Sequence, residues 1–540
     1  MKLLLFDGYI RNCAQLCEEL SIEPSASRDA ERAILEAGFA KWGHDLGNHV
    51  YGSFALAILN EASGELFCAR DPLGTRPFYY SLDPSGVLRY GSDIAEVAAR
   101  QGSRGVVGGI SAWQVPRGVD RRGVDRGIDR DALLRYLMFG YPAGESTLYA
   151  GVKKLMPGHY LVFDGETCVT RPYFSLSFDP DYSRTEEQWV HDIERVLKGV
   201  LDEDAGQFAP DGLRSFLSSG VDSSYLLALS GAKRAYGIGY DEEGCSEARE
   251  AAETARVLGA EFVETRVTSD MFFDAVSRLV RSAGLPLADA SSAALLIGCE
   301  QVALDGAYCL SGEGSDELFA GYHLYRRADE IGWTGGPWHF GSTGIMEGGS
   351  AQRLLKLDHP ASTEPVENMV RGIYEASESW EHLSRLQAID CALWFEGGIL
   401  LGASAAARAS GIELLMPYAD RRVIDLATRI PARLRLKDGC GKYLLRKAAE
   451  RRLPHEVAFR RKVGFSVPIR SWMREDRHRA AIEAELLGSH SALFFDRGLV
   501  EGYWTSFLEG NDDIWQVVYT LYVFLVWYRQ CYLKQEAHEG

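Results

Sequence analysis

Leu217-Ser218-Ser219-Gly220-Val221-Asp222-Ser223-Ser224 follows an apolar run at 213–217 and opens an apolar helical stretch at 223–230. Small residues at such a turn let the backbone wrap closely around an anion. The free N–H groups of the helix N-terminus then point at that anion with a favourable dipole. Ser218, Ser219, Ser223 and Ser224 add hydroxyl donors. No Gly-Lys-Ser/Thr follows, so this is not a Walker A loop. The plain structural alternative is a serine-rich turn with an N-cap.

Outward from this loop the chain alternates. The pattern predicts a helix at 187–201, strands at 213–217, 235–240, 261–267 and 307–310, and helices at 223–230, 246–258 and 270–283. Strands alternating with helices imply a parallel sheet covered on both faces, with ligands beyond the carboxyl ends of its strands. From about residue 365 the chain reads as largely helical, and the apolar run at 517–528 as a buried helix too short for a membrane span. A second motif, Leu310-Ser311-Gly312-Glu313-Gly314-Ser315-Asp316-Glu317-Leu318-Phe319-Ala320-Gly321-Tyr322, also closes a strand and begins a helix. Its three carboxylates are costly unless they hold a cation or accept hydrogen bonds, and Mg²⁺ with phosphate oxygens suits them. A capping box with solvated acids is the bland alternative.

The front reads differently. Short apolar runs at 54–59 and 65–69 flank Ala62-Ser63-Gly64, a hairpin signal, and 29–42 has helical spacing. Residues 118–130 hold a four-residue near-repeat, read as a surface loop before a helix near Asp131, and 151–173 is extended.

Length and charge bound the rest. At ~150 residues per domain the chain of 540 residues implies two to four domains. A net charge of −18 lacks the footprint of a nucleic-acid binder. Ten scattered cysteines without a C-x-x-C pair, and no signal peptide, suggest reduced thiols in a cytoplasmic protein without a structural zinc or a membrane anchor.

As a set, the motifs resemble the asparagine synthetase family over roughly residues 186–530. The first resembles the S-G-G-x-D-S pyrophosphate loop, with Ser219 in place of its first Gly. Tyr236 to Tyr240, Gly441-Lys442-Tyr443-Leu444-Leu445-Arg446 and the R-K-x-G-F-x-x-P segment from Arg461 to Pro468 also match. The front resembles class II glutamine amidotransferase domains through Ala69-Arg70-Asp71-Pro72-Leu73-Gly74-Thr75-Arg76-Pro77, with Asp7, Gly8 and Asp29 at glutamine-contacting positions.

The resemblance implies an α/β protein. A truncated Ntn-type glutaminase-like αββα unit (1–130) and a connecting segment (131–185) would precede a PP-loop ATPase domain (186–540) with a parallel sheet and a helical C-terminal part. ATP would be bound by Leu217, Ser218, Ser219, Gly220, Asp222, Ser223, Ser224, Ile238, Ser311 and Gly312. Mg²⁺ would be held by Asp222, on a surface-facing loop, and by Asp316. Glu313 would act as base or orienter, and Lys442 as a positive charge for the leaving oxygen.

Aspartate activated as its acyl-adenylate and aminated to asparagine is the first reading. A ring-closing relative of the β-lactam synthetase or lasso-peptide cyclase kind, acting on another carboxylate with its own amine, stays open, as do a nucleotide-binding pseudoenzyme and a homodimer.

Two departures qualify this. About seventy residues that the family places before Asp7, with its nucleophile cysteine, do not appear. Asp7 and Tyr9 replace an Asn and a Glu, so glutamine hydrolysis is not expected, ammonia is, and the front unit should act as a packing surface through 54–80. A guanidinium is lost at Leu415 and an Asp-Arg pair at Ser404-Ala405, with Arg408 a candidate substitute.

Overall fold

The computed structural model describes residues 1–23, 28–84, 86–99, 127–209, 212–242, 244–326, 344–356, 361–461 and 466–534. Its front unit stacks two antiparallel sheets. One has the order β1-β2-β3-β7-β8: β1 (Lys2–Ile10), β2 (Gly52–Leu59), β3 (Leu66–Arg70), β7 (His159–Phe163) and β8 (Cys168–Pro172). The other joins β4 (Tyr79–Leu82) to β5 (Leu88–Gly91) and β6 (Lys153–Lys154).

The expected hairpin is β2–β3, with Leu59 opposite Leu66. Alternation along β2 sorts its side chains. Phe54, Leu56 and Ile58 face a core shared with helices Cys13–Leu20 and Arg28–Trp42. Ala55 and Ala57 face the second sheet with Phe78, Tyr80 and Tyr90.

The segment expected to connect the units contributes to both. Strands β7 and β8 complete the front sheet, while helix Arg130–Phe139 packs Tyr136 against Phe524 of the buried helix Trp515–Trp527. The near-repeat lies outside the described residues up to Arg126.

The second sheet is wholly parallel: β9 (Arg214–Phe216), β10 (Arg234–Gly239), β11 (Glu261–Arg266), β12 (Tyr308–Leu310) and β13 (Glu413–Leu415). Their order is β11-β10-β9-β12-β13. Winding therefore starts at β9, runs outward one way and then the other, and leaves a crevice where β9 and β12 part. The C-terminal part is largely helical as expected, apart from β13 and the short antiparallel pair Leu436–Lys437 and Cys440–Gly441. Its run His382–Ser410 is the one helix among the described residues long and apolar enough to cross a membrane, and 83% of its apolar window is buried in the fold.

Candidate active site

Both motifs flank that crevice. Gly220 caps helix Val221–Ser230 at the end of β9. The loop's N–H groups are engaged within the protein. Ser218 N donates to Ser223 Oγ (3.0 Å), Gly220 N to Ser218 Oγ (3.1 Å) and Ser219 N to Glu247 Oε2 (3.2 Å). Ser218 and Ser223 line the cavity, whereas Ser224 turns its hydroxyl back to Gly220 O (2.8 Å) and Ser219 is buried. Four outward hydroxyls were expected; two face the space.

Asp222 is not on a surface loop. It lies in the first helical turn, with its side chain 15% exposed, between Ser315 Oγ (2.6 Å) and Lys442 Nζ (2.5 Å). The same ammonium lies 2.9 Å from Asp316 Oδ1. Lys442 is almost fully buried and adopts left-handed φ (+59°), fixed by its N–H to Phe319 O (3.0 Å). Adjacent Gly441 is required there, since a Cβ would meet Ala320 O at 2.4 Å.

Asp222 and Asp316 thus converge, as a phosphate-bound magnesium ion requires of one or two carboxylates. Among the described residues no cluster of three His, Cys, Asp or Glu forms a full metal cage. The donor set fits Mg²⁺ shared with a nucleotide, with Lys442 as the cation already between the two acids.

The third acid of the motif departs from expectation. Glu317 is turned into the core, where Tyr322 OH donates to Oε1 (2.5 Å) and Trp394 Nε1 donates to Tyr322 OH (3.1 Å). Burial, then the Asp316 carboxylate, pushes its carboxyl up to about 8.

A cavity of about 470 Å³ lies between the loops. Leu217, Ile238, Ser311, Gly312, Glu313 and Asp316 line it. Sequence reasoning missed Glu247, Tyr322 and Trp394. Glu247 follows β10, so the strand-end rule could have found it, and Tyr322 closes the second motif. Trp394 sits on the π-helical stretch Cys391–Leu400, for which the sequence carries no signal. Lys462 to Phe465 lie outside the described residues.

The acyl-site departures also resolve. Leu415 is a core residue of β13, Ser404 and Ala405 are buried, and Glu413 is paired by Arg76 of the front unit. Arg408 does not substitute at the cavity. It donates to Ser92 O (3.2 Å) and lies 3.9 Å from Asp7 Oδ2.

In the front unit, Asp7 and Gly8 lie on β1 and Asp29 is exposed on its helix. Gly8 has φ +131°, with Ser53 O where a Cβ would sit. Tyr9 points into the core between the units, its ring 5.1 Å from Phe208. Cys13 donates to Ile10 O (3.1 Å), and burial with nearby Glu31 pushes its thiol up to about 12.

The family described as asparagine synthase matches residues 212–529, and that described as glutamine amidotransferase domain matches residues 2–99. Glutamine-hydrolyzing asparagine synthetase 1 of Bacillus subtilis is 27% identical over 97% of this chain and 85% of its own length. A putative glutamine-hydrolyzing asparagine synthetase of Mycobacterium tuberculosis is 26% identical over 97% and 84%. Amidase chyE of Penicillium rubens is 24% identical over 54% and 43%.

Proposed function

The chain belongs to the asparagine synthase family, and from that premise we propose that it is an AMP-forming amide ligase. The observation that carries this is the meeting of Asp222, Asp316 and Lys442 beside Glu313, where β9 and β12 part. A substrate carboxylate attacks the α-phosphorus of ATP, the α–β anhydride breaks, and pyrophosphate leaves. A nitrogen then attacks the acyl carbon and AMP leaves. Ser218 and Ser223 hold phosphate oxygens, and Leu217 and Ile238 face the nucleoside. Lys442 offsets charge on the leaving oxygen, and Glu313 takes the nitrogen's proton. Bound by Asp222 and Asp316, Mg²⁺ supplies charge neutralisation at the phosphates.

Aspartate is the carboxylate that the Ser-Gly-Glu-Gly-Ser-Asp-Glu string favours. Ammonia or an amine, rather than glutamine, supplies nitrogen. Tyr9 points away from β1's outer face into the inter-unit core, and a thiol held near 12, as at Cys13, is not a nucleophile at neutral pH. Initial rates of pyrophosphate and glutamate release with ammonium chloride or glutamine as sole donor test this. Pyrophosphate with ammonium and no glutamate is expected. ADP and phosphate as the only nucleotide products, or glutamate formed in step with product, would overturn it.

A further inference from the structure

The nucleotide cavity does not end at Glu313. It shares Asp289, Ser291, Trp394 and Ser466 with a second chamber of about 300 Å³. That chamber is walled by rings and aliphatic side chains: Phe139, Tyr141 and Trp515 on one hand, Leu287, Ile345 and Val467 on the other. Glycines make the walls fit. A Cβ on Gly397 would meet the Tyr141 ring at 2.4 Å, and one on Gly398 the Trp394 ring at 2.5 Å.

Charge sorts what the chamber can hold. Among the described lining residues of the two chambers, five are carboxylates: Asp222, Glu247, Asp289, Glu313 and Asp316. The one cation is Arg470, whose exposed side chain lies toward Asp512 (3.7 Å). Lys442 already pairs Asp222 and Asp316 beside the nucleotide; in the second chamber an anion gains only the outward-turned Arg470, while an ammonium gains Asp289 and aromatic faces. Asp289 stands at the junction, half-buried, as the N-cap of helix Ala290–Ala303: Oδ1 accepts from Ser291 N (3.2 Å), and Oδ2 accepts from the Ser291 hydroxyl and from Ser292 Oγ (3.1 Å). Burial raises its carboxyl above the usual range, a cost that an arriving ammonium offsets.

We propose that the second chamber seats the nitrogen substrate, a primary amine with an aromatic body, its ammonium beside Asp289 and its rings among Tyr141, Trp394 and Trp515. The proposal rests on the ligase reading above, and ammonia is then a minimal surrogate. The amine loses one proton to solvent, its nitrogen forms the C–N bond as the acyl C–O bond to AMP breaks, AMP leaves with the electron pair, and the second proton passes to Glu313.

Calorimetry on the full chain with Mg²⁺ and α,β-methylene-ATP tests it, with tryptamine, 3-indolepropionate and aspartate as probes. Tryptamine should bind, and 3-indolepropionate should bind at least about tenfold more weakly; aspartate, the acyl substrate of the ligase reading, should bind without displacing tryptamine, and displacement would overturn the proposal. Val467→Trp, which fills the chamber alone, should weaken tryptamine about tenfold while the nucleotide still binds. Should Val467→Trp fail to fold, Ile345→Trp replaces it. Equal binding of 3-indolepropionate, tryptamine binding unchanged in the filled variant, or nucleotide binding without any tryptamine binding would each overturn the proposal. Failure of the nucleotide itself to bind would instead overturn the ligase reading.

Discussion

Lys442 separates two carboxylates that would otherwise repel in a half-buried setting. Lys442→Met removes their counter-charge, at a cost of about 1–3 kcal/mol, and should abolish pyrophosphate release. The freed carboxylates then have more to gain from a metal. Magnesium should raise the Tm of Lys442→Met more than that of the wild type in a thermal-shift assay, and equal shifts would show that Asp222 and Asp316 do not share a metal. Glu317 carries a pH signature. Its native carboxyl, pushed from the usual 4.5 up to about 8 by burial and Asp316, holds its proton more tightly than the unfolded chain does. Stability from this group is full below the unfolded value and falls as pH rises toward 8. Glu317→Gln should flatten that decline in Tm between about pH 5 and pH 8, and an unchanged slope would place the titration elsewhere. Glu313 and Asp316 were singled out together because one motif fixes their spacing, and Lys442 from the separate Gly441-Lys442-Tyr443-Leu444-Leu445-Arg446 segment. The inward turn of Glu317 was not, since neighbours on a helix point about 100° apart and the sequence does not say which faces the core.

At the level of elements, the strands from 213 to 310 were legible to within two residues at their ends, because apolar runs bounded by turn residues mark them. Helix Ala290–Ala303 was not expected: its apolar and small residues run all round it, so no 3.6-residue period marks it. Two further things were hidden. Strand β13 is three residues long and lies among helices, and is held by pairing with β12, with Leu415 opposite Leu310. The π-helical turn carrying Trp394 depends on tertiary packing around Gly397 and Gly398. What lets the second strand-end loop meet Lys442 is a close approach that only glycine permits. A Cβ on Gly321 would lie 2.0 Å from both Asp316 Oδ1 and Lys442 Cε. Gly321→Ala should therefore displace the acid and the ammonium together, lowering kcat for pyrophosphate release by about 10²-fold. Circular dichroism should stay native. A variant with full kcat would show that the Lys442–Asp316 geometry does not limit the chemistry.

Across the whole molecule, the front unit was expected to serve as a packing surface, and the contact it makes combines an apolar seam at Tyr9 and Leu73 with buried ion pairs. Arg70 of the Ala-Arg-Asp-Pro signature meets Glu396 Oε1 (2.9 Å) through Nη1, and Lys154 Nζ meets Oε2 (2.5 Å), with all three side chains buried. Burial raises the Glu396 carboxyl, but the Lys154 ammonium and the Arg70 guanidinium outweigh it, so its pKa falls below the usual value. The triad joins β3 and β6 to the π-helical stretch that carries Trp394 into the cavity. Neutralising only the acid leaves two buried cations without a counter-charge, although Arg70 keeps its bonds to the Gly74, Arg76 and Leu155 carbonyls, and costs about 3–5 kcal/mol. Glu396→Gln should therefore lower Tm sharply and raise the KM for ATP, because the element bearing Trp394 loses its anchor. Replacing the whole triad, Arg70→Met with Lys154→Met and Glu396→Leu, removes the desolvation penalty along with the attraction, so it should recover most of the lost stability. Thermal melts of the two variants decide between a brace that depends on charge pairing and one that depends on packing. A Glu396→Gln protein as stable as the wild type, or a triple variant less stable than the single one, would show that this triad is not a brace dependent on charge pairing, leaving the Tyr9 seam and the Arg11 and Arg76 pairs to hold the units.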